Sequence, residues 1–273
     1  MFVLFVLIAC TRQESELPVY AITSFIPKTD GSFPTRASNP DELRISDYNL
    51  FIFNAFGDLE ENVFLRGATV YNARLLRNVP YTIIAVANMG YRLPIQSLEE
   101  ARSFRYHMAY PDEYSRGMPM AAVLENVIPG ERMEVPLERL MARIDLSMDR
   151  SALDPDILVK VTDVSIGNCP SSVTLFPGSQ ALHYFTMGFT HSNAQADALN
   201  QAGGILSLYM LENCTGNSYI DIKAEYHSDT YHTQPGERIT YSIPLEEIRR
   251  NTVYPVTVSL SGTFSGSQSN TGW

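Results

Sequence analysis

The chain has 273 residues, 45% hydrophobic, 11% aromatic and 18% charged, enough for one large domain or two of ordinary size, each with its own core. Twenty lysines and arginines stand against thirty acidic residues, a formal charge of −10, which excludes the basic stripe that nucleic-acid binding needs to displace phosphate counterions. Abundant aromatics, with glycine and proline at 16 each, exclude a disordered or low-complexity chain.

The first predicted element is a targeting segment. Residues 1–10, MFVLFVLIAC, carry an apolar run from Phe2 to Ile8, far shorter than the roughly 20 residues that span a bilayer but matching the apolar part of a secretory signal. Leu7-Ile8-Ala9-Cys10 resembles a bacterial lipobox, in which the signal is cut before a cysteine whose thiol carries diacylglycerol. A small residue before the thiol fits the peptidase, and the apolar run presents the site at the membrane. The basic residues that open such signals are missing. The competing reading is an apolar strand with a buried Cys10.

Residues 11–40 mix Pro, Ser, Thr and charge and are expected to be a tether, with apolar pieces from Val19 to Ile26 that leave room for one early strand. Thr11 follows Cys10, so the aspartate that retains lipoproteins at the inner membrane is absent, and the outer membrane is the expected destination.

From there the chain reads as strands. Tyr48–Phe53 is apolar on both faces and ends at Gly57-Asp58; Tyr81–Ala87 is a buried run stopped by Asn88-Met89-Gly90. Ser97-Leu98-Glu99-Glu100 is a capping box that opens a helix running to about Phe104. Ala142, Ile144, Leu146 and Met148 alternate with polar residues, and Asp149–Pro155 forms a polar break. A polar, Ala-rich helical piece spans 193–201. Ile220–Tyr226, Ile239–Ile243 and Tyr254–Leu260 alternate again, as expected of antiparallel sheets with one solvated face. The expected fold is all-β, with two tandem antiparallel β-sandwich domains over 41–150 and 151–264, short helical decorations, and a polar tail at 265–273.

Export bears on Cys169 and Cys214. In an oxidising compartment such a pair usually bridges, and closing a loop of roughly 45 residues contributes about 3–4 kcal/mol. Two separate buried thiols are the alternative.

Several phrases in order resemble the fimbrillin superfamily of Bacteroidetes, the type V pilus proteins, and within it the FimB-type anchor and minor-subunit family. They are Ile45–Phe53 followed by Gly57, Val79–Asn88, Met118-Pro119-Met120, Leu137–Ile144 as the strand closing the first domain, Leu208–Asn213 with Gly216, and Arg250-Asn251-Thr252 with Tyr254. They span residues 45–262. The resemblance implies transthyretin-like sandwiches, a lipid anchor, and fimbrillin partners joined by donor-strand complementation, in which a strand from another subunit completes an open sheet. In related stalk proteins an Arg-specific protease removes the N-terminal segment, and Thr35-Arg36-Ala37 is placed for such a cut. An exposed tether arginine with no such role reads the same, and cutting at Arg36 would discard Cys10. The polar tail 265–273 makes a poor donor strand, which favours a terminal position such as an anchor or an accessory subunit.

No constellation of a known catalytic type emerges: there is no nucleophile elbow, phosphate loop or zinc-protease helix. His227 and His232 around Asp229 read as a surface turn more readily than as zinc ligands. Asp154-Pro155-Asp156 reads as linker chemistry rather than paired catalytic acids, and Asn213-Cys214-Thr215 is not counted as a glycosylation site. Neither enzyme activity nor a cofactor is expected. The rival to a fimbrial role is a glycan-binding surface lipoprotein, with Tyr106, Tyr110 and Tyr114 as its stacking platform.

Overall fold

A computed structural model describes residues 19–30, 40–108, 114, 116–178, 180–188, 193–229 and 237–261. Among these are sixteen strands and two short α-helices. The first half holds β1 (Tyr20–Thr29), β2 (Asp47–Phe53), β3 (Leu59–Arg66), β4 (Tyr71–Leu76), β5 (Tyr81–Ala87), α1 (Leu98–Ser103), β6 (Arg105–His107), β7 (Met120–Val127) and β8 (Arg132–Arg139). The second holds β9 (Met141–Ala152), β10 (Ile157–Pro170), β11 (Ser172–Thr174), β12 (Tyr184–Gly188), α2 (Asn193–Ala198), β13 (Ile205–Leu211), β14 (Tyr219–Ser228), β15 (Glu237–Pro244) and β16 (Val253–Ser261). The fold is all-β, as expected.

The strands of the first half run β3-β2-β5-β7-β8-β1-β4. β7 meets β8 only at Met120–Arg139 and Ala121–Glu138, so the sheet turns a corner there and becomes two layers, β3-β2-β5-β7 over β4-β1-β8. In the second half β12-β10-β14-β15 faces β13-β9-β16. The two halves share one plan. In each, the first strand lies in the middle of a three-stranded layer, parallel to the last strand and antiparallel to one other: β1 between β8 and β4, β9 between β16 and β13.

Two hydrophobic cores follow from this. The first includes Phe25, Leu50, Ile52, Ile84, Val86, Val135 and Leu137 and continues to Met141; the second starts at Ala142 and includes Ile144, Leu146, Ile166, Leu208, Ile222, Val256 and Val258. β2 is buried along its whole length because a second cover lies on its outer side. The Asn49 amide brackets that cover, donating to the Tyr91 carbonyl (3.1 Å) and accepting from the Leu93 amide (2.9 Å), and Asn62 donates to the Ile95 carbonyl (3.1 Å). Leu93, Ile95 and Ala101 complete the packing. A strand covered on both faces shows no alternation, which is why Tyr48–Phe53 and Tyr81–Ala87 read as continuous apolar runs.

Three expectations need adjustment. The stretch expected as tether, 11–40, contains β1, a full member of the first core. The polar stretch 149–155 is the end of β9 and the turn that carries the chain across to β10 in the facing layer, bonded Leu153 N to Arg150 O and Ile157 N to Asp154 O, and the cores divide between Met141 and Ala142. A solvated turn between layers and an interdomain linker share one composition, so the two were indistinguishable by residue type. Leu137–Ile144 is two strands, with Leu140 between β8 and β9. The capping box does form: the Glu100 amide donates to Ser97 Oγ (3.1 Å), and the Glu100 carboxylate accepts from the Gln96 amide (2.7 Å).

Candidate functional site

β1 is the unusual element, because its sequence alternates while both of its backbone edges are used. Thr23, Phe25 and Pro27 point inward and are buried, whereas Ile22 and Lys28 are exposed. Its first half pairs antiparallel with β4, from Tyr20–Leu76 to Phe25–Tyr71. Its second half pairs parallel with β8, from Ser24–Arg132 to Thr29–Leu137. The inward row therefore lies beside Ala73 and Leu75 on one side and Val135 and Leu137 on the other, all nearly inaccessible to solvent. Taking β1 away would leave an apolar slot with one row of unpaired backbone groups along β4 and another along β8.

The slot ends at a buried polar centre. The short 3-10 helix Pro40–Glu42 carries Glu42 inward to zero exposure. Its carboxylate accepts two hydrogen bonds from Arg143 Nη1 of β9 (3.1 and 3.2 Å) and one from the Tyr209 hydroxyl of β13 (2.5 Å). Arg139, fully buried at the end of β8, donates from Nε to the Glu42 carbonyl (2.9 Å) and from Nη1 to the Asn251 side-chain oxygen (2.8 Å). Burial pulls the Arg139 guanidinium below its usual pKa. For Arg143 burial acts the same way, but the bonds to Glu42 and the charge of Asp145 outweigh it and raise the pKa. Burial, then the bond to Glu42, pushes the Tyr209 hydroxyl well up. The bonds among Glu42, Arg139, Arg143 and Tyr209 join the turn at Pro40–Glu42 to β8, β9 and β13 as a buried ionic weld.

A second buried pair ties the halves together nearby. Arg250 Nε donates to Glu212 (2.8 Å), Nη2 also bonds that carboxylate, and the guanidinium donates to the Leu175, Thr174 and Phe176 carbonyls (2.8, 2.9 and 3.2 Å). That fixes the strip after β11, whose Val173 and Leu175 belong to the first core although β11 lies in the second half; β11 pairs there with β6.

No protein-family model and no curated protein matches the chain. Solved structures do. A Bacteroides eggerthii protein described as a cell adhesion protein superposes with a TM-score of 0.64 at 16% identity, over 92% of this chain and 89% of that one. The fimbrilin FimA of Porphyromonas gingivalis gives 0.62 at 14% identity, over 88% and 90%. The tip fimbrial protein Mfa3 of the same organism, truncated at its C-terminus, gives 0.60 at 12% identity, over 91% and 97%. The fold is that of Bacteroidetes fimbrial proteins.

Within this fimbrial fold the residues singled out from sequence fall in different places. Cys10, Arg36, Tyr110 and His232 lie outside the described residues. Tyr114 is buried and meets Tyr209 edge-on, with ring centroids 5.4 Å apart, and Tyr106 packs against the first core from β6. Tyr114 thus covers a core edge, while Tyr106 is half-buried. Cys169 and Cys214 are both free thiols. Cys169 sits on an inward position of β10, packed in the second core, and burial pushes it up to about 12; Cys214 lies half-buried in the turn after β13. Cys169 is the last residue but one of β10, with its side chain in the core. His227 pairs with Asp229 (3.1 Å), and among the described residues no group of His, Cys, Asp and Glu is arranged to hold a metal. Asp156 accepts from Ser228 Oγ (2.8 Å), a structural bond between β14 and the start of β10. Asn213 is buried, with its amide donating to Asn217 and Ser218 (2.9 and 2.7 Å), which removes it from any modifying enzyme. Among the described residues no helix is long and apolar enough to cross a membrane.

The buried centre was missed from sequence. Glu42 sat at the very start of the expected first domain, outside any quoted phrase, while Arg139, Arg143, Glu212, Arg250 and Asn251 sat inside phrases quoted only as strand signatures. The available signal was charge on the apolar face: Arg143 interrupts an otherwise apolar start of β9, and Glu212 follows a buried run.

Proposed function

We propose that the chain is a subunit of a cell-surface fimbrium, an outer-membrane lipoprotein serving as anchor or minor subunit, assembled by strand complementation at the β1 slot. The observation that carries this reading is the position of β1. It is a first strand, joined to the rest of its unit only through the segment before Pro40, yet it fills the middle of a three-stranded layer. A strand of that kind can be replaced by a strand from another subunit without disturbing the chain order of the other elements. The fold shared with fimbrial and adhesion proteins supports the assignment.

Cys10 and Arg36 set two states. A lipid on Cys10 holds the protein to the membrane only while the chain between residues 10 and 40 is intact, so the anchored form keeps β1 and presents a closed slot. A cut after Arg36 frees the body and leaves β1 held by non-covalent bonds alone. An anchor is therefore the intact form with its own strand in the slot, whereas a minor subunit that accepts a neighbour's strand at the slot is the cut form.

Deleting the gene in its native host tests the proposal. Shed or shortened fimbriae, restored by the wild-type protein and not by Cys10→Ala, are expected; fimbriae of unchanged length and retention would overturn it.

A further inference from the structure

The end of β1 is held by the other half of the molecule. Asp30 directly follows β1, and its three polar groups go to different places. Its amide donates to the Leu137 carbonyl on β8 (3.0 Å), its carbonyl accepts from Arg139 Nη1 (3.3 Å), and its carboxylate accepts from Asn251 Nδ2 (2.8 Å). The same Arg139 Nη1 donates to Asn251 Oδ1 (2.8 Å). One residue from the end of β1, one from the end of β8 and one from the turn before β16 thus close a triangle.

Asn251 is built for this place. Its φ of 53° is a left-handed value that Asn tolerates better than most residues, and its amide donates to the Met141 carbonyl (2.9 Å). The next residue, Thr252, accepts from the Arg143 amide (3.0 Å), where β16 begins its parallel pairing with β9. Both ends of the Asn251 side-chain amide reach into the first unit, while its backbone sets the turn that launches the last strand of the second.

We infer that Asp30, Arg139 and Asn251 form a latch that couples the seating of β1 to the turn that starts β16. Losing β1 removes an acceptor from a buried guanidinium and the carboxylate partner of Asn251, so the start of β16 loosens. Disturbing the turn eases β1 out by the same free energy, since coupling between two sites is reciprocal. The second unit would thereby report whether the first unit's slot holds its own strand. The use of the latch in assembly rests on the reading of β1 as the strand a neighbour replaces; the coupling itself is measurable on an uncut chain.

Hydrogen–deuterium exchange on the intact protein tests it, with Asp30→Ala and Asn251→Gly, the latter because glycine keeps a positive φ without strain. Asp30→Ala is expected to speed exchange at residues 253–261 about tenfold, and Asn251→Gly to do the same at residues 20–29, the effect of one charge-assisted hydrogen bond. The double variant is expected to match the larger single effect instead of the product of the two. Effects confined to each variant's own unit, or multiplying in the double variant, would overturn the latch. Should Asn251→Gly fail to fold, Asn251→Asp keeps the acceptor for Arg139 and sets a carboxylate against Asp30; unchanged protection of β1 would then overturn it. A chain cut after Arg36 and challenged with a synthetic peptide of residues 19–30 separates the two ideas. Displacement at equal rates in wild type and Asn251→Gly sinks the latch and keeps the exchange reading, whereas no displacement at all, with the cross-unit exchange effects present, does the reverse.

Discussion

Replacing Phe25 by alanine tests whether β1 belongs to the first core or merely lies on it. Phe25 has no exposed surface, sits between Tyr71 and Met133 in register, and is the largest buried side chain of its strand. Truncating a fully buried phenylalanine costs about 3–5 kcal/mol through lost transfer and the cavity left behind, a large share of the 5–15 kcal/mol that typically holds a domain. Ile22, three residues earlier on the opposite face, is 66% exposed, and its replacement by alanine is expected to cost within about 0.5 kcal/mol. Because the molecule has two cores, the loss is best read locally, by native-state hydrogen exchange at β1, β5 and β14. Phe25→Ala is expected to accelerate exchange at β1 by roughly two orders of magnitude or more and to leave β14, in the second core, close to wild type. Equal effects of the two substitutions, or a Phe25→Ala cost under about 1 kcal/mol, would refute the inward assignment of Thr23, Phe25 and Pro27 and with it the apolar slot.

Three further outcomes follow from the buried groups. Arg143→Met leaves the fully buried Glu42 side chain without its guanidinium partner and is expected to cost about 3–5 kcal/mol, with Arg143→Met/Glu42→Leu recovering part of it; a double variant no more stable than the single, by thermal melting, would contradict the weld. In protein carrying Cys10→Ser, native alkylation at pH 8 is expected to modify Cys214 slowly, because burial and the neighbouring Glu212 and Glu247 charges raise its pKa, and to spare Cys169 until unfolding; mass spectrometry showing that neither thiol reacts before reductant is added would establish the bridge instead. Alkaline titration is expected to destabilise the protein. Burial raises Tyr48 and Cys169 to about 12 from ordinary values of 10.0 and 9.0, so the folded state keeps protons that the unfolded chain releases. Stability is therefore full below about pH 9 and falls as pH climbs toward 12, and Tyr48→Phe is expected to flatten the part of the fall above pH 10 in urea titrations.

Much of the fold was legible because the sheets obey simple alternation. Ile144–Met148, Ile220–Tyr226 and Tyr254–Leu260 show alternating burial, and their strands came out close to the expected bounds. The capping box at Ser97 is a local chemical signature, and it forms. What stayed hidden depends on distant partners. β1 carries Thr23, Ser24, Pro27, Lys28 and Thr29 among its ten residues, a composition that suits a tether equally well; only the slot between β4 and β8 makes it a strand. β3 and β4 are edge strands of mixed burial, so their pattern is weak. The turn between layers at 149–155 and a linker share one chemistry. The buried centre needs Glu42, Arg139, Arg143 and Asn251 to meet across separations of up to about two hundred residues, and no local pattern records such a meeting. A charged residue in an apolar run was the trace it left.

The shared plan of the two units says why exchange would belong to only one of them. β1 and β9 occupy equivalent places, each central in its layer and parallel to the last strand of its unit. β9, however, follows β8 after the single residue Leu140, so it cannot leave the second unit without pulling apart the first. It is further tied by Arg143 to Glu42. β1 has no such weld within its own span: its inward row is apolar, its outward salt bridge Lys28–Glu134 is exposed at both ends and therefore worth little, and its polar anchorage gathers at Asp30. A strand held by an apolar face, two backbone ladders and one terminal latch can be replaced by any segment that reproduces the first two. On the proposed exchange, the contacts that a generic donor would not reproduce are those of Asp30, so discrimination between a chain's own strand and an incoming one would fall to Arg139 and Asn251.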